Sequence, residues 1–100
     1  MIEQLIRDIA RIEGLNVLKA PMVGGSVQIG TKNGGYLYDP LSPWTNDALQ
    51  EKYKVTSEWN DPVWWSATHH ADHSDDNGVG EHEDRKTAVL LAIREVSRET

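Results

Sequence analysis

VTSEWNDPVWWSATHH, Val55 to His70, decides the fold. Two runs rich in β-branched and aromatic residues flank Asn60-Asp61-Pro62, a turn signal that ends one extended run and starts the next. The segment therefore predicts a β-hairpin with a longer second strand. Side chains alternate across a strand, so the neighbours Trp64 and Trp65 point to opposite faces. Both fit a core only if helices cover the sheet on both sides, and that is the expectation. The competing expectation exposes one of them, or Trp44 or Trp59, as an anchor for a partner, because tryptophan is enriched where binding energy concentrates.

Outward from this hairpin, SVQIGTKNGGYLYDP predicts another, turning at Asn33-Gly34-Gly35 with Val27 and Ile29 on one face. Between the two, LSPWTNDALQEKYKV reads as a short helix that Ser42 or Thr45 can cap. Asp47 is expected in its first turn, and Leu49 and Tyr53 lie one turn apart. At the N-terminus, MIEQLIRDIARIEG places Ile2, Leu5, Ile6, Ile9 and Ile12 at helical spacing, with Gly14 as the C-cap. The following LNVLKAPMVGG carries a proline and paired glycines and is expected to be irregular. The last helix, DRKTAVLLAIREVSRET, turns Val89, Ala92, Ile93 and Val96 to one side. The order is α-ββ-α-ββ-α. The fold class implied is α+β: an antiparallel sheet of about four strands flanked by helices, in a helix/sheet/helix sandwich.

The chain has 100 residues, enough for one core and no second domain, so residues 1–100 are read as a single domain. Its formal charge is −6, and the imbalance is local. His69 to Asp84, HHADHSDDNGVGEHED, holds six of the sixteen carboxylates, all four histidines and no base. Outside it ten acids meet ten bases. No lysine or arginine stripe offers counterion release to DNA or RNA, so nucleic acid is not expected as a direct partner. There is no cysteine, hence no disulfide or thiolate chemistry. Charges every few residues in the first helix exclude a signal peptide or membrane span there. A soluble, intracellular protein is the expectation.

Three readings compete for the acidic stretch. As a metal site, Asp72, Ser74, Asp76, Gly78 and Glu83 fall at positions 1, 3, 5, 7 and 12 of an EF-hand-like calcium loop. Against this, Asn77 occupies position 6, where the sharp turn wants glycine, and an extended segment precedes the loop where an EF-hand has a helix. His69, His70, His73 and His82 raise zinc or nickel, but adjacent histidines on a strand point apart instead of converging. As a catalytic cluster, Asp75 and Asp76 lack the desolvation that would separate two carboxylates into acid and base. No serine sits in a nucleophile elbow and no glycine motif cradles phosphate. Neither an enzyme nor a cofactor is expected. As a partner surface, Asp72, Asp75, Asp76, Glu81 and Glu83 form a negative patch that steers the chain toward a basic protein, with Asp84 reserved as the cap of the last helix.

The hairpin ending in YDPLSPWTNDALQEKYKV, the strand VWWSA and the helix RKTAVLLAIREV together resemble the phage ABA sandwich domain proteins. The most specific parts are Asp39-Pro40-Leu41 leading into Asn46-Asp47-Ala48-Leu49, and the helix from Ala88 to Val96. The resemblance implies a three-layer sandwich encoded by phages or prophages, working in the cytoplasm of a bacterial host, with no catalytic motif to transfer. On such a scaffold the negative patch suggests an inhibitor of a bacterial defence nuclease complex, similar to anti-CRISPR proteins, with a CRISPR effector as the basic partner. The alternatives are a phage structural or host-takeover accessory protein, or a calcium-binding loop protein.

Overall fold

The computed structural model describes residues 2–68 and 78–98. The elements follow as α1 (Ile2–Ile12), β1 (Val27–Thr31), β2 (Gly34–Tyr38), α2 (Pro43–Lys52), β3 (Val55–Asn60), β4 (Val63–Thr68), β5 (Val79–His82) and α3 (Arg85–Arg98). The class is α+β with antiparallel pairing throughout, as the hairpins imply. The strands form two sheets, β1-β2 and β3-β4-β5, instead of one sheet of about four.

The reason for the split lies in α1, which has two apolar stripes. Leu5 and Ile9 join Leu49, Val55, Val89, Leu90 and Ile93 in one buried cluster, whereas Ile6 and Ala10 pack with Val27 and Ile29 in another. The first hairpin thus buries its inner face on one stripe of α1, while the other stripe meets α3, which with α2 covers the second hairpin. The outer edge of β1 is taken by the irregular segment before it: Leu18 N–H donates to the Gln28 carbonyl and Gly30 N–H to that of Asn16. The first hairpin turns through Lys32 and Asn33, with Gly34 already paired to Thr31, one residue earlier than the glycine pair suggests.

The helix ends have identifiable causes. α1 closes with Gly14 at φ +76°, where the Leu15 N–H reaches back to Ala10. Ser42 caps α2, accepting from Thr45 N–H, and Pro43 occupies the first helical position. Because α2 starts at Pro43, Asp47 lies beyond its first turn. Asp84 caps α3 as anticipated: its carboxylate accepts from both the amide (3.0 Å) and the hydroxyl (2.7 Å) of Thr87. The buried Asn46 donates to the Pro40 and Lys86 carbonyls and accepts from Gln50, tying α2 to the start of α3.

β5 is a strand inside the acidic stretch, where the expected order α-ββ-α-ββ-α has none. It pairs with β4 and lies under α3, and glycines make that contact possible. A Cβ on Gly80 would stand 2.5 Å from the Ala92 nitrogen, and one on Gly78 2.5 Å from the Val96 nitrogen, so only glycine admits the helix backbone this closely. The neighbouring positions on β3 and β4 under the helix are hydroxylic, and Trp59 and Trp64 stand at the end of this face. Ser66 and Thr68 are buried, and the Ser57 and Ser66 hydroxyls meet at 2.7 Å. Ala92 and Val96 thus face the sheet, while Val89, Leu90 and Ile93 turn toward α1 and α2.

α3 lies across all three strands of this sheet and α2 against β3, with α1 packed on α3 behind them. Among the described residues no helix covers the other face, where cover on both faces was expected. Neither Trp64 nor Trp65 enters the core. The close packing of α3 on glycine, serine and threonine leaves Trp64 half-buried at the end of the helix side, while Trp65 points to the open face.

Candidate functional site

The open face of the β3-β4-β5 sheet follows from the register of the hairpin. The turn at Asp61-Pro62 pairs Asn60 with Val63, which sets Glu58 opposite Trp65 and Thr56 opposite Ala67. On the other flank Trp65 pairs with Glu81, and Ala67 with Val79. Side chains paired across strands share a face. Trp65 therefore stands between two carboxylates, one on each neighbouring strand. Strands lie about 4.8 Å apart, so the two glutamates straddle the indole at a spacing of roughly 10 Å.

Trp65 is 40% exposed and Val79 41%, with Glu58 and Glu81 exposed beside them. No lysine or arginine lies on this face among the described residues of the three strands. Among the described residues, neither Glu58 nor Glu81 has a cationic partner. A shallow depression of about 300 Å³ runs along the β3-β4 side, lined by Thr56, Glu58, Trp65 and Ala67. Chemically, this is an aromatic platform between two unneutralised anions. It suits a cationic side chain, which gains from the indole face and from both carboxylates.

The opposite face ends in a second aromatic group. Trp59 meets Trp64 edge to face at 5.6 Å between centroids, and the Arg85 guanidinium lies 5.9 Å from the Trp64 ring centre. Here the cation is already supplied by the chain itself. Trp44 stands apart at the start of α2, 88% exposed.

The residues singled out in the acidic stretch separate into groups. Asp72, Ser74, Asp75 and Asp76, with His69, His70 and His73, lie outside the described residues. Glu81 is on the open face, and Glu83 is exposed in the short link to α3. Gly78 is buried, its carbonyl accepting from Thr68 N–H and its N–H donating to the Thr68 hydroxyl. The carbonyl that position 7 of a calcium loop presents to its ion is thus engaged in strand pairing. His82 accepts the Asp84 N–H on Nδ1 at 2.9 Å, which orients the ring toward its own loop. No cluster of three or more metal-ligating side chains occurs among the described residues.

Glu58 was missed as a site residue because it stands outside the acidic stretch. The signal was present in the register: once the two-residue turn at Asp61-Pro62 is accepted, Glu58 must face Trp65. No family model, curated protein or solved structure matches this chain.

Proposed function

We propose that this chain is a protein-binding module that holds a basic segment of a partner on the open face of its three-stranded sheet. The supporting observation is the row Glu58, Trp65, Glu81: an exposed indole between two carboxylates that have no cationic partner among the described residues. Exposed tryptophan and uncompensated charge each carry a cost in solubility or self-repulsion, and a cationic partner relieves both. The connection that carries Asp72, Asp75 and Asp76 joins the strands bearing Trp65 and Glu81, so the wider acidic patch belongs to the same end of the sequence.

The specific partner is a basic surface of a bacterial defence nuclease complex, a CRISPR effector above all, bound by a phage-encoded inhibitor in the host cytoplasm. Charge and the resemblance to phage ABA sandwich proteins support this choice. The alternative partner is a virion or host protein bound by a phage accessory factor of another kind.

Affinity capture from a bacterial lysate, followed by mass spectrometry, tests both levels. The unmodified chain is compared with Trp65→Ala and with Glu58→Gln/Glu81→Gln. Recovery of a CRISPR effector by the unmodified chain alone supports the specific reading, and virion or replication proteins favour the alternative. Equal capture by all three chains refutes the open face as the binding surface.

A further inference from the structure

We infer that two copies of this chain pair through β2, edge to edge and antiparallel, about a two-fold axis at Tyr36. The argument starts from which backbone groups of β2 are satisfied. The hairpin turns through two residues, so Thr31, Ile29 and Val27 exchange hydrogen bonds with Gly34, Tyr36 and Tyr38. Gln28 and Gly30 confirm this phase, since they bond away from β2 toward Leu18 and Asn16. By the same alternation Gly35 and Leu37 turn their N–H and C=O groups to the outer edge of β2. Among the described residues no backbone bond reaches them there.

An unpaired strand edge accepts another strand, and chains guard such edges with charge, proline or a bulge. β2 reads GGYLY and has none of these. Its Tyr36 and Leu37 are 45% and 52% exposed. A two-fold axis at Tyr36 sets residue n opposite residue 72 minus n. Gly35 then meets Leu37 of the second copy, so both outward-facing backbones find partners, and each leucine lies over a residue without a side chain. Tyr36 meets its own copy at a non-hydrogen-bonded position, where side chains approach most closely.

Charge selects a second copy as the occupant. The chain carries −6, yet from Leu15 to Tyr38 it has no acidic residue and two lysines, Lys19 and Lys32. This lobe is where two copies approach with least repulsion. In the register above, Asp39 of the second copy falls opposite Asn33, one residue from Lys32, which adds an attraction at each end of the pair.

Sedimentation velocity across a concentration series reads the association. The unmodified chain is expected to pass from monomer to dimer. Leu37→Pro removes only an outward N–H and should weaken the dimer by about tenfold or more while keeping the monomer folded. Tyr36→Lys places like charges on the axis and should abolish it. The chain has no cysteine, so Tyr36→Cys introduces a single thiol, and pairs at such positions have Cα atoms about 4.5 Å apart, within disulfide reach. Oxidation should give a covalent dimer, which Trp44→Cys should not. A chain that stays monomeric throughout overturns the inference. So does a dimer that survives Tyr36→Lys, or one that Tyr36→Cys fails to lock.

Discussion

Gly80→Ala should be severely damaging for the addition of one methyl group, as should Gly78→Ala, whose new Cβ meets contacts just as short. At Gly80 the new Cβ would lie 2.5 Å from the Ala92 nitrogen and 2.8 Å from the Leu91 Cβ, with the Ala88 carbonyl oxygen nearer still. Carbon to main-chain contacts settle at about 3.3 to 3.6 Å, so α3 must withdraw by roughly 1 Å. A gap of that size forfeits about a quarter to a half of the dispersion energy at each contact it opens. Val89, Leu90 and Ile93 all sit on the helix that moves, in the larger core cluster. Overpacking alone costs about 1 to 3 kcal/mol, and the loosened core brings the total to about 3 kcal/mol or more. For a domain of this size that is roughly 12 °C or more in Tm. Thermal and urea melts followed by circular dichroism would measure it, with Gly25→Ala as the control. The nearest atom to a Cβ at Gly25 is the Asp39 Oδ1 at 4.0 Å, so that variant should stay within about 0.5 kcal/mol of the parent. The atoms met at Gly80 are largely main-chain, and Ala92→Gly should therefore not rescue the variant. A Gly80→Ala protein that melts within a few degrees of the parent would refute the close packing of α3 on β5.

Ile93→Asp should abolish folding, since Ile93 is fully buried and an unpaired charge there exceeds the few kcal/mol that a small domain holds in reserve; a cooperative melt would contradict it. Asp84→Ala removes both bonds to Thr87 and should cost about 1 to 2 kcal/mol in urea melts, whereas Asp84→Asn, which keeps an acceptor, should cost less. Tyr53→Phe loses a 2.6 Å bond to Glu13 and should destabilise by about 1.5 kcal/mol or more, while Tyr38→Phe deletes a buried hydroxyl with no partner among the described residues and should be neutral or stabilising. Burial, reinforced by Glu13 and Tyr36, pushes the Tyr38 phenol from 10.0 up to about 12, and burial with the Glu13 hydrogen bond raises Tyr53 as well. The unfolded chain releases these protons first, so stability should be intact below about pH 10 and fall as pH rises toward 12, with a shallower fall in Tyr38→Phe melts.

Local signals carried much of the fold. The apolar spacing of α1, its stop at Gly14, the capping role of Asp84 and the hairpin around Asp61-Pro62 all follow from side-chain and backbone preferences within a few residues. The partition into two sheets does not, because hairpin patterns say which face is apolar and nothing about which hairpin lies beside which. β5 escaped for a different reason. A strand lying directly under a helix backbone must alternate glycine with other residues, and glycine lowers strand propensity. The same requirement placed the tryptophans: directly under α3 the strands carry glycine, serine and threonine, so Trp64 and Trp59 sit at the end of that face, beside Arg85, and Trp65 takes the open face. Of the acidic residues picked from sequence, Glu81 lies in the candidate site, while its counterpart Glu58 could be found only through the register.

The packing of α1 on α3 sets a schedule for the chain as it is made. Asp8 and Arg94 meet across 86 residues, so the stripe of Leu5 and Ile9 has no final cover until α3 has been translated. At 5 to 20 residues per second that delay is roughly 4 to 17 s. The other stripe waits less, because Val27 and Ile29 emerge early and cover Ile6 and Ala10. The β1-β2 lobe can therefore dock on α1 while the ribosome is still at work. The remaining hydrophobic stripe stays open to chaperones until α3 arrives.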